Sequence, residues 1–235
     1  MTFAEIMSFL KTHENPQGKK VLMRHGAREP FYGVRIADLK IVVKQVKKDY
    51  ELSKRLYATG NSDAMYLAGL IADETRMTKT DLQDWVEGAY WYMLSESTVP
   101  GIAAETPFGI KLAKKWMKSK DEMTACAGWA TYNAAISTMP AAELDLAEID
   151  ALLNHVEHSI HTAPNRVRYD MNNFIISVGI YIPELSEKAR RMANSIGKVS
   201  VDVGNTACAV PYAPDYIAKA LEKGKLGKKR KVARC

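Results

Sequence analysis

An all-α fold of stacked helical hairpins is predicted by three observations. Apolar residues recur at intervals of three and four along most of the chain. Helix-capping signatures open one segment after another. Strand-type alternation is confined to one candidate, VSVDV at 199–203.

The elements follow in order. Thr2 and Glu5 form a capping box ahead of Phe3, Ile6, Met7 and Leu10, which share a helical face. Residues 11–34 are rich in Gly, Pro and charge and read as a loop or irregular segment. From Ile36 the helices follow closely. Leu39, Val42, Val43 and Val46 form one stripe, Leu52, Leu56 and Tyr57 a short second, and residues 62–72 a third helix. Thr78 and Asp81 open a helix around Leu82, Trp85 and Val86, which continues or restarts after Gly88 from Tyr90 to Val99. Pro107 begins a helix through Trp116, and Ser119 with Glu122 caps the next, through Cys126, Trp129 and Ile136. Asp145 and Glu148 cap a helix through Leu153 and Val156. Pro164, Pro183 and Pro214 each stand at a helix start, where the missing N–H costs nothing.

Three successive spans (107–139, 145–181 and 183–223) each hold two helices, and their starts lie about 38–40 residues apart, the period of HEAT-type hairpins. A faint internal echo links 52–69 with 112–128: a helix with cations at its third and fourth positions, a tight turn, then an Ala-Gly pair. The reading is a single domain over 1–235, HEAT-like helical-hairpin repeats stacked into a curved solenoid, with a basic flexible tail at about 224–235.

Composition sets the bounds. With 235 residues, 47% hydrophobic and 26% charged, the chain can bury a sizeable core, and wholesale disorder is excluded. No apolar run suits a membrane span. Cys126, Cys208 and Cys235 include no CxxC pair, which argues against a disulfide framework and for reduced thiols in the cytoplasm. The opening MTFAEIMSFLKTHENP reads as a helix start rather than a signal peptide. The net charge of +6 is mild and concentrated in the tail, so the body is close to neutral.

Three stretches are candidates for chemistry. Trp85, Tyr90, Trp91 and Tyr92, followed by Ser95 and Glu96, are either a packing anchor or a stacking platform for a base. Cys126, Trp129, Tyr132 and Asn133 read as core, with Trp129 a candidate for the groove wall. His161 to Asn173, with Asn165, Arg166, Arg168 and Tyr169, concentrates polar groups at a helix start, where N–H donors and arginine can hold a phosphate; polar packing between helices is the alternative. His155, His158 and His161 lack partners in register for a metal, so no metal or other cofactor is expected. Lys228, Lys229 and Arg230 add phosphate affinity beside a nucleic-acid surface.

Phe31-Tyr-Gly-Val-Arg-Ile-Ala-Asp-Leu-Lys40, then Leu56-Tyr57 with Gly60, then Asp63-Ala-Met65 with Leu67-Ala68, resemble the AlkD-like DNA alkylation repair family, in an order of elements running from about Arg24 to Glu187. The resemblance implies HEAT-like hairpins around a basic concave groove, and a partner in double-stranded, possibly alkylated DNA. In active members it implies hydrolysis of the N-glycosidic bond of N-alkylated purines, with a carboxylate stabilising the positive charge that develops on the sugar. The family motif is a tryptophan, an aspartate one turn later, an arginine on a later helix and then a second tryptophan. Trp91 fits the first position, but Ser95 stands four residues on, with Glu96 adjacent and rotated by about 100°. Ala127-Gly-Trp-Ala130 stands where the arginine belongs, and Met171-Asn-Asn-Phe174 where the second tryptophan belongs. The expectation is DNA binding in the groove without the usual base-excision site. Alternatives are a glycosylase rearranged around Glu96, and a scaffold that binds protein.

Overall fold

Local capping explains where most helices begin. In the computed structural model, which describes residues 1–234, the Thr2 and Thr78 hydroxyls accept the N–H groups of Glu5 and Asp81, whose carboxylates answer the cap N–H groups. Asp49, Asn61 and Asp145 cap three further helices by accepting the N–H groups of Leu52, Ala64 and Glu148, without the reciprocal bond. Every regular element among the described residues is helical: α1 (Phe3–Thr12), α2 (Pro16–Arg24), α3 (Ile36–Val46), α4 (Tyr50–Tyr57), α5 (Ser62–Ile71), α6 (Lys79–Gly88), α7 (Val99–Ala103), α8 (Gly109–Trp116), α9 (Glu122–Thr138), α10 (Leu146–Ser159), α11 (Asn165–Tyr181), α12 (Pro183–Ile196) and α13 (Ala213–Glu222). A π-helical segment, Leu94–Thr98, leads into α7. None of the helices is long and apolar enough to cross a membrane.

Three local expectations change. Part of the supposed loop at 11–34 is α2, with Pro16 at its first turn and Asn15 accepting the Gly18 N–H. The cap of α9 is Asp121 rather than Ser119, its carboxylate accepting the Thr124 N–H. VSVDV at 199–203 forms no strand; Arg168 binds the Ser200 carbonyl, and Asn165 binds both the carbonyl and the N–H of Asp202.

The helices stack in two layers. The segment Leu94–Thr98 packs between α5 and α9, α9 packs on α11, and α11 packs on α13, giving an inner layer. Helices α4, α8 and α12 back onto α5, α9 and α11 respectively, and α10 lies beside α12, giving the outer layer. Two apolar cores result. One gathers Leu56, Leu67, Trp85, Trp91 and Trp116; the other gathers Trp129, Tyr132, Leu153, Phe174 and Ile175. The seam between them runs through α8 and α9.

The small residues of the internal echo mark close approaches between helices. A Cβ on Gly128 would lie 2.4 Å from the Met117 nitrogen and 2.8 Å from the Ala113 oxygen, and one on Gly69 would lie 2.7 Å from the Thr98 methyl. Backbone at Gly128 cannot yield as a side chain can. Gly128→Ala is therefore expected to cost about 1–3 kcal/mol of stability, read as a lower urea midpoint at unchanged slope.

Two of the stretches that carry the family resemblance meet in space. The buried Asp63 carboxylate accepts the backbone N–H groups of Tyr32 (2.6 Å), Gly33 (3.0 Å) and Val34 (3.1 Å). One side chain at the start of α5 thereby fixes the irregular segment ahead of α3.

Candidate nucleic-acid interface

The centre of the inner layer holds a charged cluster assembled from three helices. Glu96, in the π-helical segment, takes a two-pronged salt bridge from Arg166 at the start of α11: Nε to Oε1 at 2.8 Å and Nη2 to Oε2 at 2.5 Å. The guanidinium lies between two aromatic rings, 4.4 Å from the Tyr92 centroid and 4.5 Å from that of Tyr169. Glu122, on α9, accepts the Arg166 backbone N–H at 2.6 Å. Both partners are largely enclosed, with side-chain exposures of 9% for Glu96 and 15% for Arg166.

Beneath this pair sits Asp170, buried and with Oδ2 lacking a hydrogen-bond partner. Burial and the neighbouring Glu96 charge push its carboxyl well above the ordinary range. Burial likewise pushes the Cys126 thiol up. Ligating atoms of Glu96, Cys126 and Asp170 come within 4.8 Å of one another, a spacing compatible with a metal ion. Arg166 already supplies the positive charge there and engages both Glu96 oxygens, so these residues form a poor cation site. His155, His158 and His161 do not converge: they contact Trp129, the Asn154 carbonyl and the Ile196 carbonyl respectively.

The structure places the sequence candidates as follows. Trp91 is 3% exposed, its Nε1 donating to Ser62 Oγ at 3.1 Å. Trp129 is 2% exposed and wedged between His155 and Phe174. Both are core residues rather than stacking platforms, because helix packing has used their ring faces. Ser95 is fully buried with its hydroxyl against the Met123 sulfur. Tyr90 is half-buried, with the Arg28 guanidinium 4.4 Å from its ring centroid. Asn165 and Arg168 bind the backbone of 200–202, and Arg166 is committed to Glu96. The phosphate pocket expected at the start of α11 is thus filled by the protein's own groups.

A cavity of about 350 Å³ opens on the inner layer, lined by Tyr66, Leu70, Glu96, Asn133, Asp170, Asn173, Ser177, Tyr181, Arg230 and Arg234. Its wall mixes neutral polar and apolar groups in similar measure, with two acids and two arginines. The basic lining implied by the family resemblance is here supplied by the tail alone. That tail, expected to be flexible, packs along the described residues 225–234. The N–H of Gly227 donates to the Ile180 carbonyl, that of Arg230 to the Ser137 carbonyl, and Lys229 Nζ to the Ile136 carbonyl. Arg234 reaches Glu105 and Glu74 and the Ala72 carbonyl. The last tail residue, Cys235, lies outside the described residues. Sequence reasoning missed the Glu96–Arg166 and Glu105–Arg234 pairs; their partners stand 70 and 129 residues apart, and no local pattern joins them.

Comparison with known proteins fits this arrangement. A family model described as DNA alkylation repair enzyme matches residues 6–201. The chain is 36% identical to the uncharacterized protein Lmo0209 of Listeria monocytogenes over 231 residues, covering 96% of this chain and 100% of that one. It is 35% identical to the uncharacterized protein Lin0241 of Listeria innocua over 226 residues, covering 94% and 97%. A solved structure superposes with a TM-score of 0.92 at 37% identity, each chain wholly covered. It is described as representing a new family of proteins related to the HEAT-like repeat DNA glycosylases with affinity for branched DNA structures.

Proposed function

Because the chain belongs to the DNA alkylation repair enzyme family, we propose that it binds DNA against its inner helical layer, favours branched over linear duplex DNA, and does not excise bases. The observation that carries this reading is the closed salt bridge between Glu96 and Arg166. A glycosylase needs a carboxylate free to face the sugar as positive charge develops there. Glu96 is the acid nearest the expected position, and both of its oxygens are taken by a guanidinium. Asp170, the other acid in the cavity wall, is buried, and burial with the Glu96 charge beside it raises its carboxyl well above the ordinary range. Arg166, which a phosphate would otherwise recruit, is equally occupied. The affinity for branched DNA described for the solved relative supports the choice of substrate.

The test combines two measurements. Retention of a labelled four-way junction and of a linear duplex of the same sequence is compared across a salt series, and release of methylated bases from alkylated duplex is scored alongside. Expected are preferential, salt-sensitive junction binding and no base release above the uncatalysed rate. Equal affinity for both DNAs would remove the branched preference. Base release that is lost in Glu96→Gln would instead establish the rearranged glycosylase.

A further inference from the structure

We infer that the C-terminal strand of residues 225–234 is a fixed phosphate-binding rail along one edge of the inner layer, and that Arg234, gripped by Glu105 and Glu74, is the residue that positions it. This rests on the DNA-binding reading and names the part of the molecule that meets the backbone.

Charge makes the first argument. Lys225, Lys228, Lys229, Arg230, Lys231 and Arg234 are as many as the chain's net charge of +6, with no acid among residues 225–234. The rest of the protein sums to zero, so long-range attraction for a polyanion resides in this strand. The second argument is position. The strand binds carbonyls in the last turns of α5 (Gly69, Ala72), α9 (Ile136, Ser137) and α11 (Ile180). The inner helices therefore run parallel, with their C-terminal ends along this edge. Helix C-termini carry partial negative charge and repel phosphate. Laid across them, the strand turns a repulsive edge into an attractive one beside the cavity, which Arg230 and Arg234 line.

The third argument is the division of labour within the strand. Lys229 and Arg234 point inward: Lys229 Nζ meets the Ile136 carbonyl at 2.7 Å, and Arg234 bonds Glu105 Oε2 through Nε at 2.9 Å and Glu74 Oε2 through Nη2 at 2.6 Å. Glu105 also accepts the Ala233 N–H at 2.8 Å. Lys225, Lys228, Arg230 and Lys231 stay exposed. A purely electrostatic tail has no need of such an anchor. An ordered row of cations does, because fixing them in advance removes the entropy cost of ordering long side chains when DNA binds.

Two variants separate a fixed rail from a loose polycation, each checked by thermal melting for an intact fold. Lys228→Gln/Arg230→Gln/Lys231→Gln keeps the anchor and removes three outward charges. It should weaken junction binding roughly tenfold or more, and flatten the slope of log affinity against log salt by roughly 2–3. Glu105→Gln makes the protein more positive but loosens Arg234. Charge counting alone predicts tighter binding; a positioned rail predicts binding several-fold weaker, with faster tryptic cleavage in the strand. Tighter or unchanged binding by Glu105→Gln, with the triple variant still impaired, would overturn the rail while leaving the DNA-binding reading in place. An unimpaired triple variant would overturn it as well. Wild-type protein that retains no DNA of either shape would instead sink the DNA-binding reading, and the rail with it.

Discussion

Replacing Arg166 by methionine is expected to lower the unfolding free energy by about 3–5 kcal/mol at pH 8, as judged by urea titration. The variant leaves the Glu96 carboxylate enclosed beside Asp170 and Glu122 without a counter-ion. An unpaired buried charge costs far more than a formed pair contributes, because desolvation is no longer offset. The sign of the pH dependence follows. Burial pushes Glu96 up and Arg166 pulls it down. The net effect is already upward with Arg166 in place, and with Arg166 gone the folded-state value climbs further above that of the unfolded chain. The unfolded state is then the one that releases a proton between the two values, so stability falls as pH rises through that window. The loss should shrink as pH falls through that window and Glu96 takes up its proton. Glu96→Gln combined with Arg166→Met removes both charges and should recover most of the stability. A single variant as stable as wild type at pH 8 would mean that the pair contributes little.

The second large effect is expected at Asp63. Asp63→Ala withdraws one acceptor from three N–H groups at once, and a buried donor left unpaired costs about 1–3 kcal/mol. A net loss of about 3 kcal/mol or more is expected, since water can reach the partly buried Tyr32 amide. Amide exchange should accelerate at residues 32–34 more than in α9 or α11. Asp63→Asn keeps one acceptor oxygen and should fall between. Uniform acceleration across the chain would show instead that the segment unfolds only with the whole molecule.

The legible and illegible parts of this protein divide by distance along the chain. Caps such as Thr2–Glu5 and Thr78–Asp81 act within four residues, and the sequence displays them directly. The hairpin period reflects the repeating need of each helix pair to bury an apolar face, which is also written locally. Helix α2 escaped because Pro16 and Gly18 read as breakers. In the structure Pro16 occupies the one turn that tolerates it, and a Cβ on Gly18 would lie 3.0 Å from the Gly33 carbonyl. The site was harder. Trp91 and Trp129 were candidates by residue type, yet their burial depends on helices that pack against them from elsewhere in the chain. Arg166 and the tail cations were correctly seen as charged, but what each charge faces was invisible. Glu96 comes from another helix, and the tail is held partly by backbone carbonyls, which no side-chain pattern announces, and partly by Glu74 and Glu105 from far along the chain.

The wide turn at Leu94–Thr98 has one more consequence. A π turn takes up one residue more than an α turn, so every side chain beyond it is rotated by about 100° from where an unbroken helix would carry it. Glu96 meets its arginine within this turn, and Pro100 and Gly101 take their places in the cavity wall just after it. Backbone phase, and not residue identity alone, thus selects which groups look inward. Deleting a single residue here would act like advancing a dial by one notch, presenting a different set of side chains to the same hollow while the flanking helices keep their seats.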